Sequence, residues 1–154
     1  MDWFSKAFVK SSLIWLALGI TLGVCMAMHP AWIVYKPAHA HMNLLGFVVM
    51  MVSGVGYHVL PRFTGHPLHS PRLAGWHWWL ANPGLALMVA GFALTPRFVP
   101  VGEGLLVAGG LLSAAGTCTF IYNIWRTIDG PAGARHDSGV TATIASGRRP
   151  TSRP

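Results

Sequence analysis

Acidic residues are scarce in this sequence. Only four of its 154 residues are Asp or Glu, against eleven Lys and Arg. Because the four are scattered along the chain, the sequence offers no paired carboxylates for hydrolytic chemistry. Cysteine is scarcer still: Cys25 and Cys118 are the two present, and they lack C-x-x-C spacing. Neither a disulfide framework nor a thiolate metal site is therefore expected, and no catalytic residue is predicted.

Charge as a whole is low, and apolar residues are abundant instead. Charged residues make up 10% of the chain and hydrophobic residues 53%, a composition typical of membrane proteins. A helix needs about 20 residues to cross roughly 30 Å of hydrocarbon, and four apolar runs come close to or exceed this length. They are Ser12–Met28, Asn43–Leu60, Trp76–Leu94 and Val101–Trp125. The predicted fold is an all-α membrane protein, a bundle of four transmembrane helices in residues 1–126.

Between and beyond these runs the residues are typical of turns and tails. Pro30, Pro37, Pro61, Pro71 and Pro96 are among the helix breakers that separate the runs. Residues 127–154 are rich in Gly, Ala, Ser, Thr, Arg and Pro, and offer little to bury. We expect them to form a disordered, basic cytoplasmic tail.

The distribution of basic residues predicts the orientation. If the four apolar runs cross the membrane in alternating directions, nine of the eleven basic residues lie on one side of it. Only Lys36 and Arg97 lie on the other side. Since basic loops are retained in the cytoplasm, both termini should be cytoplasmic and the protein should be a multi-pass component of the inner (cytoplasmic) membrane. A cleaved signal peptide is disfavoured because residues 25–29 lack the small-x-small pattern of a cleavage site. Nucleic-acid binding is not expected, because the basic residues are scattered.

The same topology sorts seven histidines into two layers. The outer layer contains His29, His39 and His41, and the inner layer contains His58, His66, His69 and His77. His41 and His58 are 17 positions apart, about 25 Å along a helix axis, so they cannot bind one metal. The inner histidines are expected to face headgroups, with His77 in an interfacial aromatic belt. A surface metal site formed by His58, His69 and His77 is the alternative.

His41 is the strongest candidate for binding a metal or cofactor. An imidazole at the end of a membrane span is energetically unfavourable unless it has a binding partner. On an ideal helix, the face of His41 continues through Leu45, Val48, Val52 and Val55, an apolar wall for a porphyrin. An iron or copper ion is the expected partner. The alternative is an interfacial histidine that hydrogen-bonds to a neighbouring residue.

Other residues near this position could assist. Gly46, with Gly54 and Gly56, leaves room for a flat ligand or a close neighbouring helix. His39 lies about 200° from His41 around the helix, so both cannot face one iron; it could cap the helix, bind a propionate or coordinate copper. Lys36 and Arg97 are the outer cations and the best candidates to pair with haem propionates.

The run from His41 to Arg62 carries a family resemblance. Its His-Met-Asn-Leu-Leu-Gly start and Gly-x-Gly-Tyr-His-Val-Leu-Pro-Arg end resemble the second transmembrane helix of haem-copper oxidase subunit I, in the nitric-oxide-reductase and cbb3-type branch. The chain is similar to short, stand-alone subunit I-like proteins with a His-Ala-His-x-Asn-Leu-Leu-Gly signature. The resemblance implies that His41 is an axial ligand of a low-spin haem b near the outer face.

The chain also departs from that family. A full subunit I has about twelve helices, and the sequence has no His-His pair and no His-x-x-x-Tyr for the copper site. A complete proton-pumping oxidase is therefore not expected from one chain. The family's approximate threefold symmetry raises the hypothesis of a homotrimer in which His41 of neighbouring chains supplies both ligands. Otherwise His29, His39 or an inner histidine would be the second ligand.

Three functions follow as hypotheses. The first is a b-type haem protein of the membrane that transfers electrons or binds nitric oxide or oxygen; redox chemistry at the haem is its only plausible enzymatic activity. The second is a copper-handling or assembly protein, in which imidazoles and thioethers bind copper. Its candidate ligands are His29, His39, His41, Met26, Met28 and Met42. The third is a cofactor-free structural module that joins a larger complex through small-residue seams such as Gly19/Gly23.

Overall fold

The computed structural model describes residues 1–130, and these are helical with short turns. Helix α1 spans Trp3–Met28, and a 3₁₀ segment, Pro30–Tyr35, leads into helix α2, Lys36–His41. A π-helical segment, Met42–Val49, joins α2 without a break to helix α3, Met50–Thr64. Helix α4 spans Pro71–Leu94 and helix α5 spans Val99–Asp129. The prediction of an all-α membrane bundle is confirmed.

The helices differ in how well they suit a membrane. Within the described residues, three segments are long and apolar enough to cross one: Trp3–Met28, Pro30–Thr64 and Val99–Asp129. Helix α4 has 24 residues, but it includes the polar side chains His77 and Asn82. It lies chiefly against α5. The protein is therefore a multi-pass integral membrane protein in which α4 packs against α5.

The helices extend beyond the predicted apolar runs, and one proline that was expected to end a run does not end its helix. Pro61 lies inside α3, which continues to Thr64 and ends at Gly65 in the left-handed conformation with φ 71°. Pro61 has no backbone N–H, so α3 lacks one i→i−4 hydrogen bond at this position. At the other end of the chain α5 reaches Asp129, three residues beyond the predicted boundary. The predicted disordered tail lies, from residue 131 onward, outside the described residues.

Small residues bring α4 and α5 together. Gly84 and Gly109 lie so close that a Cβ on Gly109 would be 2.7 Å from Met88 N, and one on Gly84 would be 2.8 Å from Ser113 N. Real Cβ atoms do not approach backbone this closely, so both positions require glycine. The N-terminus of α4 is fixed by Ser70, whose Oγ accepts a hydrogen bond from Leu73 N at 3.3 Å.

The apolar core lies towards the end of the bundle that contains the N-terminus of α1. Phe4 and Phe8 of α1, Tyr57 of α3, Ala74 of α4 and Ile124 of α5 belong to one buried cluster. Large apolar side chains elsewhere, including Ile14, Leu111 and Trp125, are exposed. Such an outer surface suits hydrocarbon, where apolar side chains have no reason to be covered.

Candidate functional site at His41

His41 is the last residue of α2, immediately before the π-helical segment. Its Nδ1 lies 2.8 Å from the carbonyl oxygen of Pro37, one turn earlier, and its ring centroid lies 4.8 Å from that of Phe92 on α4. Donation from Nδ1–H to Pro37 places the imidazole lone pair on Nε2. A backbone carbonyl that fixes the tautomer in this way is the usual support of a metal-binding histidine. The half-buried ring therefore has the chemistry of an axial ligand.

His39 contacts a different helix from His41, as expected from their angular separation. Its Nδ1 lies 2.8 Å from the Gly19 carbonyl oxygen of α1, and Asn43 Nδ2 donates to the His39 carbonyl oxygen at 2.9 Å. A Cβ on Gly23 would lie 2.8 Å from His39 Cε1, so a glycine lets α1 approach the ring. Of the three roles considered for His39, helix capping is excluded, because His39 lies within α2, whose N-cap position is Tyr35.

Lys36 and Arg97 lie at the same end of the bundle as His41. Both side chains are exposed, and Arg97 Nη1 donates to Tyr35 Oη at 3.1 Å. This bond holds the turn between α4 and α5 beside the start of α2. The arrangement leaves two cations close to the end of the helix that presents His41.

His29, the third histidine of the outer layer, follows α1 and is exposed. Its ring centroid is 5.6 Å from that of Trp32. Throughout residues 1–130, no three His, Cys, Asp or Glu side chains are grouped closely enough to hold a metal ion. The copper hypothesis therefore lacks a preformed three-histidine cluster in this part of the chain, and so does the alternative site of His58, His69 and His77.

Gly46 accommodates a neighbouring helix. A Cβ there would lie 2.7 Å from Trp15 Cγ and 2.9 Å from Leu85 Cδ2, so side chains of α1 and α4 already fill the space above it. Gly54 is covered in the same way by Phe8, whose Cβ would be 2.9 Å from an added Cβ. Of the two alternatives for these glycines, the structure shows the close helix.

The π-helical segment changes the face on which later residues lie. Its i→i+5 hydrogen bonds break the ideal α-helical spacing, so the wall predicted from that spacing is not continuous. Leu45 packs against the buried core, whereas Val48, Val52 and Val55 are exposed. The exposed apolar surface after His41 therefore includes these three valines but not Leu45.

One inner histidine, His77, is buried, which the sequence analysis did not predict. His77 is only 3% exposed; its Nδ1 lies 3.1 Å from Tyr57 Oη, and its ring is flanked by Phe8 at 4.6 Å and Phe120 at 5.3 Å. The expectation that it faces headgroups is wrong. Ala74, His77, Gly84 and Gly91 are buried residues of α4 at intervals of three and seven, a helical period that could have placed His77 on the packed face.

The other three inner histidines are less enclosed. His58 Nδ1 lies 2.9 Å from Nη1 of Arg62, one turn later on the same helix. His66 and His69 lie in the turn between α3 and α4, where the backbone N–H of His69 donates to Thr127 Oγ1 at 3.0 Å. That bond ties the turn to the end of α5.

No family model matches the sequence, but curated proteins do. It is 31% identical over 127 residues to the cbb3-type cytochrome c oxidase subunit CcoN1 of Stutzerimonas stutzeri, covering 66% of this chain and 27% of that protein. It is 28% identical over 115 residues to cytochrome c oxidase subunit 1 of Rhodobacter capsulatus, covering 58% and 22%. A cytochrome c oxidase subunit 1 homolog of Agrobacterium tumefaciens (strain T37) is 26% identical over 142 residues, covering 73% and 25%.

The chain thus spans about a quarter of the length of these curated relatives. The matches agree with the resemblance carried by the motif that begins at His41. Together with the apolar helices, they identify the chain as a subunit I-like membrane protein, related in sequence to haem-copper oxidase subunit I.

Proposed function

We propose that this protein binds haem b through His41 and functions in electron transfer or in binding nitric oxide or oxygen. The observation that carries the proposal is the bond between His41 Nδ1 and the Pro37 carbonyl oxygen. It holds the ring against rotation and keeps the Nε2 lone pair available, which iron requires. The sequence relationship to oxidase subunit I supports the same residue, because the motif shared with that family begins at His41.

The residues around His41 fit a haem in other respects. Lys36 and Arg97 supply positive charge for two propionates at this end of the bundle, and Val48, Val52 and Val55 supply an uncovered apolar surface. When bound, the haem supplies a redox-active iron, which transfers electrons if six-coordinate and binds a gas if one position is open. His39 is not proposed as a ligand, because Asn43 Nδ2 lies 3.4 Å from its Nε2, the nitrogen that would bind iron.

For the electron-transfer function, the second axial ligand is proposed to be His41 of another copy of the chain, in a homo-oligomer such as a homotrimer. One feature supports this: the ring of His39, the nearest other histidine in sequence, contacts Gly19 of α1 and Asn43. The proposed location is the inner (cytoplasmic) membrane with both termini in the cytoplasm, as the distribution of basic residues indicates.

The test is the absorption spectrum of detergent-purified protein, oxidised and then reduced with dithionite. Wild type should show a Soret band and sharp reduced bands of a b-type haem, and His41→Ala should lose them. His39→Ala is the matched control, two residues away, and should retain the bands. Colourless wild-type protein after expression with ample haem, or bands that survive in His41→Ala, would contradict the proposal. Metal analysis of a colourless protein would then distinguish copper binding from a structural role.

A further inference from the structure

Three exposed tryptophans and one arginine form a groove at the opposite end of the bundle from His41. Trp3 of α1 and Trp76 and Trp79 of α4 line it together with Arg72 and Gly75, around a volume of about 470 Å³. The three indoles are 57%, 64% and 60% exposed. Two helices that are distant in sequence therefore contribute to one aromatic surface.

The walls of the groove are held in place by buried groups. Trp3 packs edge-on against Phe4, with ring centroids 5.9 Å apart, and Phe4 belongs to the core. Trp79 packs edge-on against Trp78 at 4.9 Å, and Trp78 Nε1 donates to Ser11 Oγ at 3.0 Å. Glycine forms the floor, because a Cβ on Gly75 would come within 3.0 Å of Trp3 Cζ2. The groove is thus formed by the fold before any ligand enters it.

Charge at this end of the bundle favours an anion in the groove. Arg72 is exposed at its edge, and no acidic residue lines it. A second groove, lined by α5, contains an arginine, Arg126, but Asp129 lines it too. The carboxylate of Asp129 opposes an anion there, so the two grooves differ in the charge they can accept.

We propose that the groove of Trp3, Trp76, Trp79 and Arg72 is a selective site for an anionic phospholipid. The guanidinium of Arg72 would bind the phosphate, as arginine does in bidentate geometry. The indoles would contact the glycerol region and upper acyl chains, at the membrane depth that tryptophan prefers. Basic pockets between membrane helices are known to take anionic headgroups.

The test is native mass spectrometry of detergent-purified protein mixed with equal amounts of phosphatidylglycerol and phosphatidylcholine. We expect wild type to retain phosphatidylglycerol preferentially, and Arg72→Gln to lower that retention about tenfold, which corresponds to about 1.4 kcal/mol. Arg126→Gln is the matched control and should retain phosphatidylglycerol as wild type does. Trp76→Leu combined with Trp79→Leu should lower the binding of both lipids.

Two results would overturn the proposal. Equal retention of the two lipids by wild type would show an ordinary annular contact without selectivity. Equal losses in Arg72→Gln and Arg126→Gln would show that general positive charge, not this groove, attracts the lipid. Thermal unfolding of each variant in lipid-free detergent would show that the exposed arginines are not needed for folding. Neither readout depends on haem.

Discussion

Removing the hydroxyl of Tyr57 should destabilise the protein by about 1 kcal/mol. The hydroxyl is buried, with Tyr57 1% exposed, and it lies 3.1 Å from His77 Nδ1. Tyr57→Phe keeps the ring contacts but leaves a buried imidazole nitrogen without its partner. Such a loss costs about 1–3 kcal/mol in soluble proteins, whereas hydrogen bonds between membrane helices average about 0.6 kcal/mol with a maximum near 1.7. A value of about 1 kcal/mol satisfies both ranges.

The ring of Tyr57 should contribute more to the free energy of unfolding than its hydroxyl does. It packs edge-on against Phe4 at 5.7 Å and against Phe120 at 5.2 Å, so it joins three helices. Tyr57→Ala should therefore cost about 3–5 kcal/mol, as for other large buried aromatic residues. Tyr122→Phe is the control for hydroxyl removal, because Tyr122 is 54% exposed, and it should change stability by less than about 0.5 kcal/mol.

The assay is equilibrium unfolding in detergent micelles, with the free energy of unfolding extrapolated linearly to zero denaturant. A double-mutant cycle with His77→Phe isolates the bond, since the double variant leaves neither polar group unpaired. We expect a coupling energy of about 1 kcal/mol between the two substitutions. The reasoning is refuted if Tyr57→Phe matches wild type, or if the two substitutions are additive.

Two substitutions of glycine by alanine test the helix contacts. Gly109→Ala should destabilise the protein by about 1–3 kcal/mol, because its Cβ would meet Met88 N at 2.7 Å; Gly110→Ala should not, because nothing lies within 4 Å of a Cβ at that position. Equal unfolding free energies for the two variants would contradict the α4–α5 contact. Gly23→Ala should displace the His39 ring, which an added Cβ would meet at 2.8 Å, and lower the melting temperature by a few degrees, while Gly104→Ala, with open space around it, should not.

Much of the architecture was accessible from the sequence because it depends on composition and length. Runs of apolar residues near 20 positions long require helices in a membrane, since each backbone polar group must be satisfied within its own segment. The motif beginning at His41 likewise indicated the relationship to oxidase subunit I before any comparison. Periodicity alone, however, misplaced Leu45, which packs against the core, because eight residues adopt a π-helix that the helical period does not predict.

What the sequence by itself determined is an all-α membrane protein related to oxidase subunit I, with His41 as the candidate ligand at the start of its motif. Only the tertiary structure decided which residues the individual side chains contact. It placed His39 against Gly19 and buried His77 against Tyr57, although both lie in sequence contexts typical of a membrane interface. The physical reason is that a histidine's partner comes from another helix, and the distance between two helices depends on the packing of the whole bundle.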